Sequence, residues 1–103
     1  QAVEEEDEYY EACRNRLKQN QIRSVIGFVR CWAEPTRRAY QQSDLLVMDL
    51  VEQRLDVMYR AAAMVDNNQL TADQWLEVRD KVDSRFLEEL GTRFQWSAPT
   101  PRG

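Results

Sequence analysis

Residues that make sharp turns are scarce in this chain: three glycines and three prolines among 103 residues, with Pro99 and Pro101 in the last five. A sequence so short of turn formers is expected to fold as long helices joined by few loops. Its length suits a single domain with one modest core. With 31 % charged and 43 % hydrophobic residues it has an ordinary globular composition. No apolar run approaches the roughly 18 residues of a membrane span, so no transmembrane segment is expected.

Apolar periodicity divides the chain into four helical stretches. In the first, about 3–18, Val3, Tyr9, Tyr10, Cys13 and Leu17 form a thin stripe behind a run of acids that complements the helix dipole. Lys18 to Gln21 is a polar break. The second, about 22–33, places Ile22, Val25, Ile26, Val29 and Trp32 on one face and is expected to end before Pro35. Gly27 inside it is either a weak point or a close approach for another helix. Residues 35–42 then link the halves, with Pro35 opening at most one short turn.

The third stretch, about 44–66, has Ser43 as its expected N-cap and repeats Val51, Leu55, Met58, Ala62 and Val65. Asp66 to Gln69 stops it, with asparagine suited to a left-handed closing residue. The fourth, about 72–96, opens with the chain's clearest local signal. Thr71 and Gln74 make a capping box, and Leu70 is placed to staple onto Trp75. Trp75, Val78, Val82, Phe86, Leu90 and Phe94 continue its apolar face. So short a connection requires the last two helices to lie antiparallel. The expected fold is all-α: an N-terminal hairpin packed on this antiparallel pair. One domain covers 1–96, and 97–103 form a loose tail.

Cys13 and Cys31 are the only cysteines, eighteen positions apart. If the chain turns near Ile22, they lie symmetrically about the turn and can be bridged. Closing such a loop stabilises a fold by about 3 kcal/mol. If residues 3–33 are one continuous helix, the two share a face but stand ~27 Å apart. A third fate is two buried thiols acting as small hydrophobes. The even count and the symmetric placement favour the disulfide. With an amino terminus that reads as processed, they favour a periplasmic or secreted protein.

Several chemistries lack their groups. With no histidine, a serine or cysteine hydrolase relay has no base, and histidine-ligated metal and haem sites are unavailable. Two thiols without a Cys-x-x-Cys spacing leave a metal short of ligands, and there is no glycine-rich phosphate loop. Asp66, Asn68 and Glu77 fall at calcium-loop positions, but Leu70 and Thr71 replace an oxygen ligand and the obligatory glycine. Glu88 and Glu89 are neighbours on a helix and point in different directions. No catalytic residue, metal or cofactor is expected.

Charge is segregated along the chain. Residues 1–12 carry six acids and no base, whereas 13–42 carry seven bases against Glu34 alone. Such segments either dock internally or face an anionic partner. The expected function is binding of another protein, or of a second copy of the chain. The candidate surface is Tyr9, Tyr10, Leu45, Leu46, Met48, Phe94 and Trp96. Two alternatives stand beside it. One is a carrier holding an apolar small molecule near Met58, Trp75 and Phe86. The other is an intracellular regulator that binds nucleic acid through Arg23, Arg30, Arg37 and Arg38, which the acidic total disfavours.

Overall fold

A computed structural model describes residues 2–43 and 46–94. They form four helices, α1 (Ala2–Lys18), α2 (Val25–Gln42), α3 (Met48–Asp66) and α4 (Ala72–Phe94), with no strand among the described residues. Consecutive helices pack on one another, α1 on α2, α2 on α3 and α3 on α4. Contacts at the helix ends fix their directions. Asp66, at the end of α3, meets the start of α2, and Arg93, near the end of α4, meets Asp49 near the start of α3.

The chain does turn between the first two helices, and Cys13 and Cys31 are joined by a disulfide with their Cα atoms 5.9 Å apart. α1 closes on Asn20, whose φ of 60° is left-handed, with Gln21 N–H donating to Arg16 O at 2.9 Å. α3 closes in the same way. Asn68 has φ 61°, and Gln69 N–H donates to Met64 O at 2.7 Å. The capping box at the start of α4 is complete. Gln74 N–H donates to Thr71 Oγ1 at 3.1 Å, and Thr71 N–H donates to Gln74 Oε1 at 2.9 Å.

The second helix differs from the expected 22–33. It begins at Val25 and runs through Pro35 to Gln42. Proline removes only one N–H, the one that would face Cys31 O, and the apolar face does not stop with it. Phe28, Val29, Trp32, Ala33, Thr36 and Tyr40 are all buried at helical spacing. Thr36 Oγ1 also donates to Trp32 O at 2.7 Å, one turn back and within the core. Burial of Thr36 and Tyr40 beyond the proline offsets the lost hydrogen bond.

Ser43 is likewise not the cap of the third helix. It closes α2, where its Oγ donates to Tyr40 O at 2.7 Å. α3 starts four residues later than expected, at Met48 behind the fully buried Val47. Asp44 and Leu45 lie outside the described residues, as do the last two positions expected in the fourth helix and the tail. Gly27 marks no helix crossing: a Cβ there would meet Ser24 Oγ at 2.9 Å. Its N–H donates to that same oxygen, the cap of α2.

The core runs from Cys13 through Phe28, Trp32, Tyr40, Leu55 and Met58 to Trp75, Phe86 and Leu90. Its aromatic rings touch edge to face, Tyr10 on Phe28, Phe28 on Trp75 and Tyr40 on Phe86. Pro35→Ala tests the account of α2. A proline inside a helix costs about 3 kcal/mol relative to alanine, whereas its stiffening of the unfolded chain contributes under about 1 kcal/mol. The variant is expected to gain about 2–3 kcal/mol, seen as a higher urea midpoint at unchanged slope.

Candidate functional site

The apolar repeat of α3 carries an intruder. Arg54 lies three residues after Val51 and four before Met58, on the buried face, and is 5 % exposed. Its guanidinium meets carboxylates from two other helices. Nη1 donates to Glu6 Oε1 at 2.8 Å and Nη2 to Glu6 Oε2, both on α1. Nε donates to Asp83 Oδ1 of α4 at 3.0 Å. The group also lies over the Phe86 ring, 4.8 Å from its centroid, and 5.8 Å from that of Trp32. Burial pushes the guanidinium down, but the Glu6 and Asp83 carboxylates outweigh it and hold Arg54 above its ordinary range.

Arg54 and Phe86 line two hollows on either side of α4. The smaller, about 90 Å³, lies where all four helices converge and is lined by Glu6, Asp7, Tyr40, Asp83 and Leu87 as well. Burial raises the Tyr40 phenol, so it stays neutral, and its hydroxyl has no hydrogen-bond partner among the described residues.

The larger is a groove of about 490 Å³ between α3 and α4. Leu50, Val57, Val82 and Phe86 form its apolar floor, and Gln53, Arg85 and Glu89 stand along it. At one end Arg93 grips Asp49 with two hydrogen bonds of 2.7 and 2.8 Å, and its Nη1 also donates to Leu46 O at 3.2 Å. The Arg93 guanidinium holds the Asp49 carboxyl down at about 2. The Leu46 side chain beside this clamp is 86 % exposed, and Val57 in the floor is 40 % exposed.

Of the surface expected from sequence, Leu46 is the residue that stands free. Tyr9 and Met48 are half-buried against the core. Tyr10 is an internal pin, edge to face with Phe28 while its hydroxyl accepts from Arg79 Nη1. Leu45, Trp96 and the side chain of Phe94 lie outside the described residues. In the basic set, Arg30, Arg37 and Arg38 share α2, and Arg23 lies in the turn before it. Arg37 is paired with Glu34 at 2.6 Å and Glu52 at 2.7 Å, and the Arg37 hydrogen bond keeps the Glu34 carboxyl below its usual range. Met58 and Trp75, expected around an apolar ligand, are buried and line neither hollow, whereas Phe86 lines both.

Arg54, Asp83 and the Asp49–Arg93 clamp were not among the expected site residues. Arg54 had a signal, a lone arginine at i+3 within an apolar stripe; the clamp had none, because its halves are far apart in sequence. Among the described residues no group of three acids or cysteines is placed to hold a metal ion, and no helix is long and apolar enough to cross a membrane. Comparison with protein families, with characterised proteins and with solved structures finds no match.

Two outcomes follow from these contacts. Arg54→Ala strands the Glu6 carboxylate, whose side chain is 15 % exposed, and is expected to cost about 3 kcal/mol. Arg54→Met in a Glu6→Gln background should recover much of that loss in urea unfolding. Asp49 titrates at about 2 in the folded chain against an ordinary 3.8. Its contribution is therefore present above about pH 4 and is lost as pH falls through 2. Carboxyl ¹³C shifts should show this low midpoint in the native chain and a return towards 3.8 in Arg93→Gln.

Proposed function

We propose that this is a non-enzymatic helical protein of an oxidising compartment, periplasmic or secreted, that works by taking an amphipathic helix of a partner protein into the α3–α4 groove. The groove carries the reading. Its apolar floor and mixed-charge rim are the features by which such a helix is recognised, with anchors at i, i+3, i+4 and i+7 and charges beside them. The lining residues span 49 to 57 on α3 and 82 to 93 on α4, roughly 12 and 17 Å of helix. That length fits about three turns of a partner.

Arg85 and Glu89 put both signs on the rim, with Glu89 also acting on the Arg93 guanidinium at the groove's end. Leu46 supplies an apolar knob at the groove's end. The cystine supports the oxidising compartment, since such bonds persist there and are rare in the cytosol.

Val57→Glu puts a charge in the floor at a position already partly exposed, so the fold should keep its helical circular dichroism. Affinity for a partner purified from the native compartment is expected to fall at least tenfold, about 1.4 kcal/mol, with the contacted segment of that partner helical. Unchanged affinity in Val57→Glu, or a contacted segment that is not helical, would end this reading. A lipid retained by the native chain in native mass spectrometry and lost in Val57→Glu would replace it with the carrier.

A further inference from the structure

The four helices are not held equally. α1 packs along α2 alone, as α4 does along α3, but among its described side chains only Cys13 is buried, with Glu6, Tyr9, Tyr10 and Leu17 half-buried, whereas α4 buries Trp75, Phe86 and Leu90. Its links to α3 and α4 are polar, Glu6 on Arg54 and the Tyr10 hydroxyl on Arg79. A 17-residue helix without tertiary support is marginal in water. The covalent bond to α2 and the Glu6–Arg54 pair are therefore the two strong restraints that keep α1 in place. The disulfide is asymmetric. Cys13 is 4 % exposed inside the core, whereas Cys31 is half-buried on α2 and follows the exposed Arg30.

We propose that the Cys13–Cys31 bond is a reversible latch on α1, opened by an external dithiol that attacks at Cys31. One thiolate of the dithiol bonds to Cys31 Sγ while the bond to Cys13 Sγ breaks. Cys13 leaves as a thiolate and takes a proton from solvent. The second thiol of the reagent, as its thiolate, then attacks the reagent's own sulfur in the mixed disulfide, and Cys31 leaves and is protonated. Two electrons pass from the dithiol, which becomes a disulfide, to the cystine, which becomes two thiols. Accessibility selects Cys31 as the sulfur attacked, and the neighbouring Arg30 favours the approach of an anion.

Opening the bond restores the chain entropy of the loop it closes. The population with α1 detached rises on the order of a hundredfold. Detachment removes Tyr10 from Phe28 and Trp32, whose ring centroids lie 5.2 and 5.8 Å from its own, and takes Glu6 from Arg54. An aromatic face closed in the oxidised chain becomes accessible. The α3–α4 groove contains no α1 residue, but Arg54 in its lining loses its Glu6 partner when α1 detaches.

Hydrogen exchange read by mass spectrometry on the full chain, oxidised and then reduced with excess dithiothreitol, tests the latch. Amides of α1 are expected to exchange at least tenfold faster after reduction, while α3 and α4 keep their protection. An increase below tenfold in α1, or loss of protection through all four helices, overturns it. The double variant Cys13→Ala/Cys31→Ala should show the reduced pattern without any reagent. A limiting pulse of glutathione, quenched in acid and mapped by peptide, should leave the mixed disulfide on Cys31; finding it on Cys13 overturns the assigned site of attack.

Discussion

Removing a guanidinium from water costs several kcal/mol unless carboxylates meet it inside the protein, and the helices of this chain are arranged around that requirement. Arg54 projects from α3 into the core, and the acceptors come from α1 and α4, helices whose other described contact is Arg79 on Tyr10. One side chain therefore links three helices through directional bonds, beside the consecutive packing of the helices and the ring contacts that join α2 to α4. Apolar packing alone tolerates sliding. Bidentate pairing between Arg54 and Glu6 sets the position of α1 along α3 to within a hydrogen-bond length.

The charge segregation in the sequence takes on a definite meaning in this setting. Glu6, from the acidic amino-terminal run, is consumed by Arg54, and Arg37, from the basic segment, is consumed by Glu34 and Glu52. Part of the contrast is thus internal wiring. Arg23, Arg30 and Arg38 remain exposed, as do most acids of α1. The surface keeps two oppositely charged regions on the same hairpin, held in fixed relation by the disulfide.

What could be read from sequence was what depends on near neighbours. The capping box at Thr71 and Gln74 and the closing asparagine after α3 involve residues within a few positions, and both are present as expected. The hairpin and its cystine were legible because symmetry about a turn constrains two distant residues at once. Pro35 was misread because its local effect was weighed without the apolar positions beyond it, and Ser43 because a good N-cap residue serves equally well to close the preceding helix. Arg54 is a different case. Its acceptors lie 48 and 29 positions away, and no local pattern selects Glu6 from among six neighbouring acids. The groove belongs to the same class, since it exists only once Leu50 and Val57 face Val82 and Phe86.

Asp66 sits at the last position of α3, and its two carboxylate oxygens accept the Val25 and Ile26 N–H groups at 2.8 and 3.0 Å. The first turn of α2 is thus completed by a residue 40 positions later in the chain. Without α3 the first turn of α2 keeps its Ser24 cap on Gly27 N–H, while the Val25 and Ile26 N–H groups turn to water instead of Asp66. Forming the end of α3 therefore stabilises the beginning of α2, and the two middle helices are coupled through a side chain as well as through their packing.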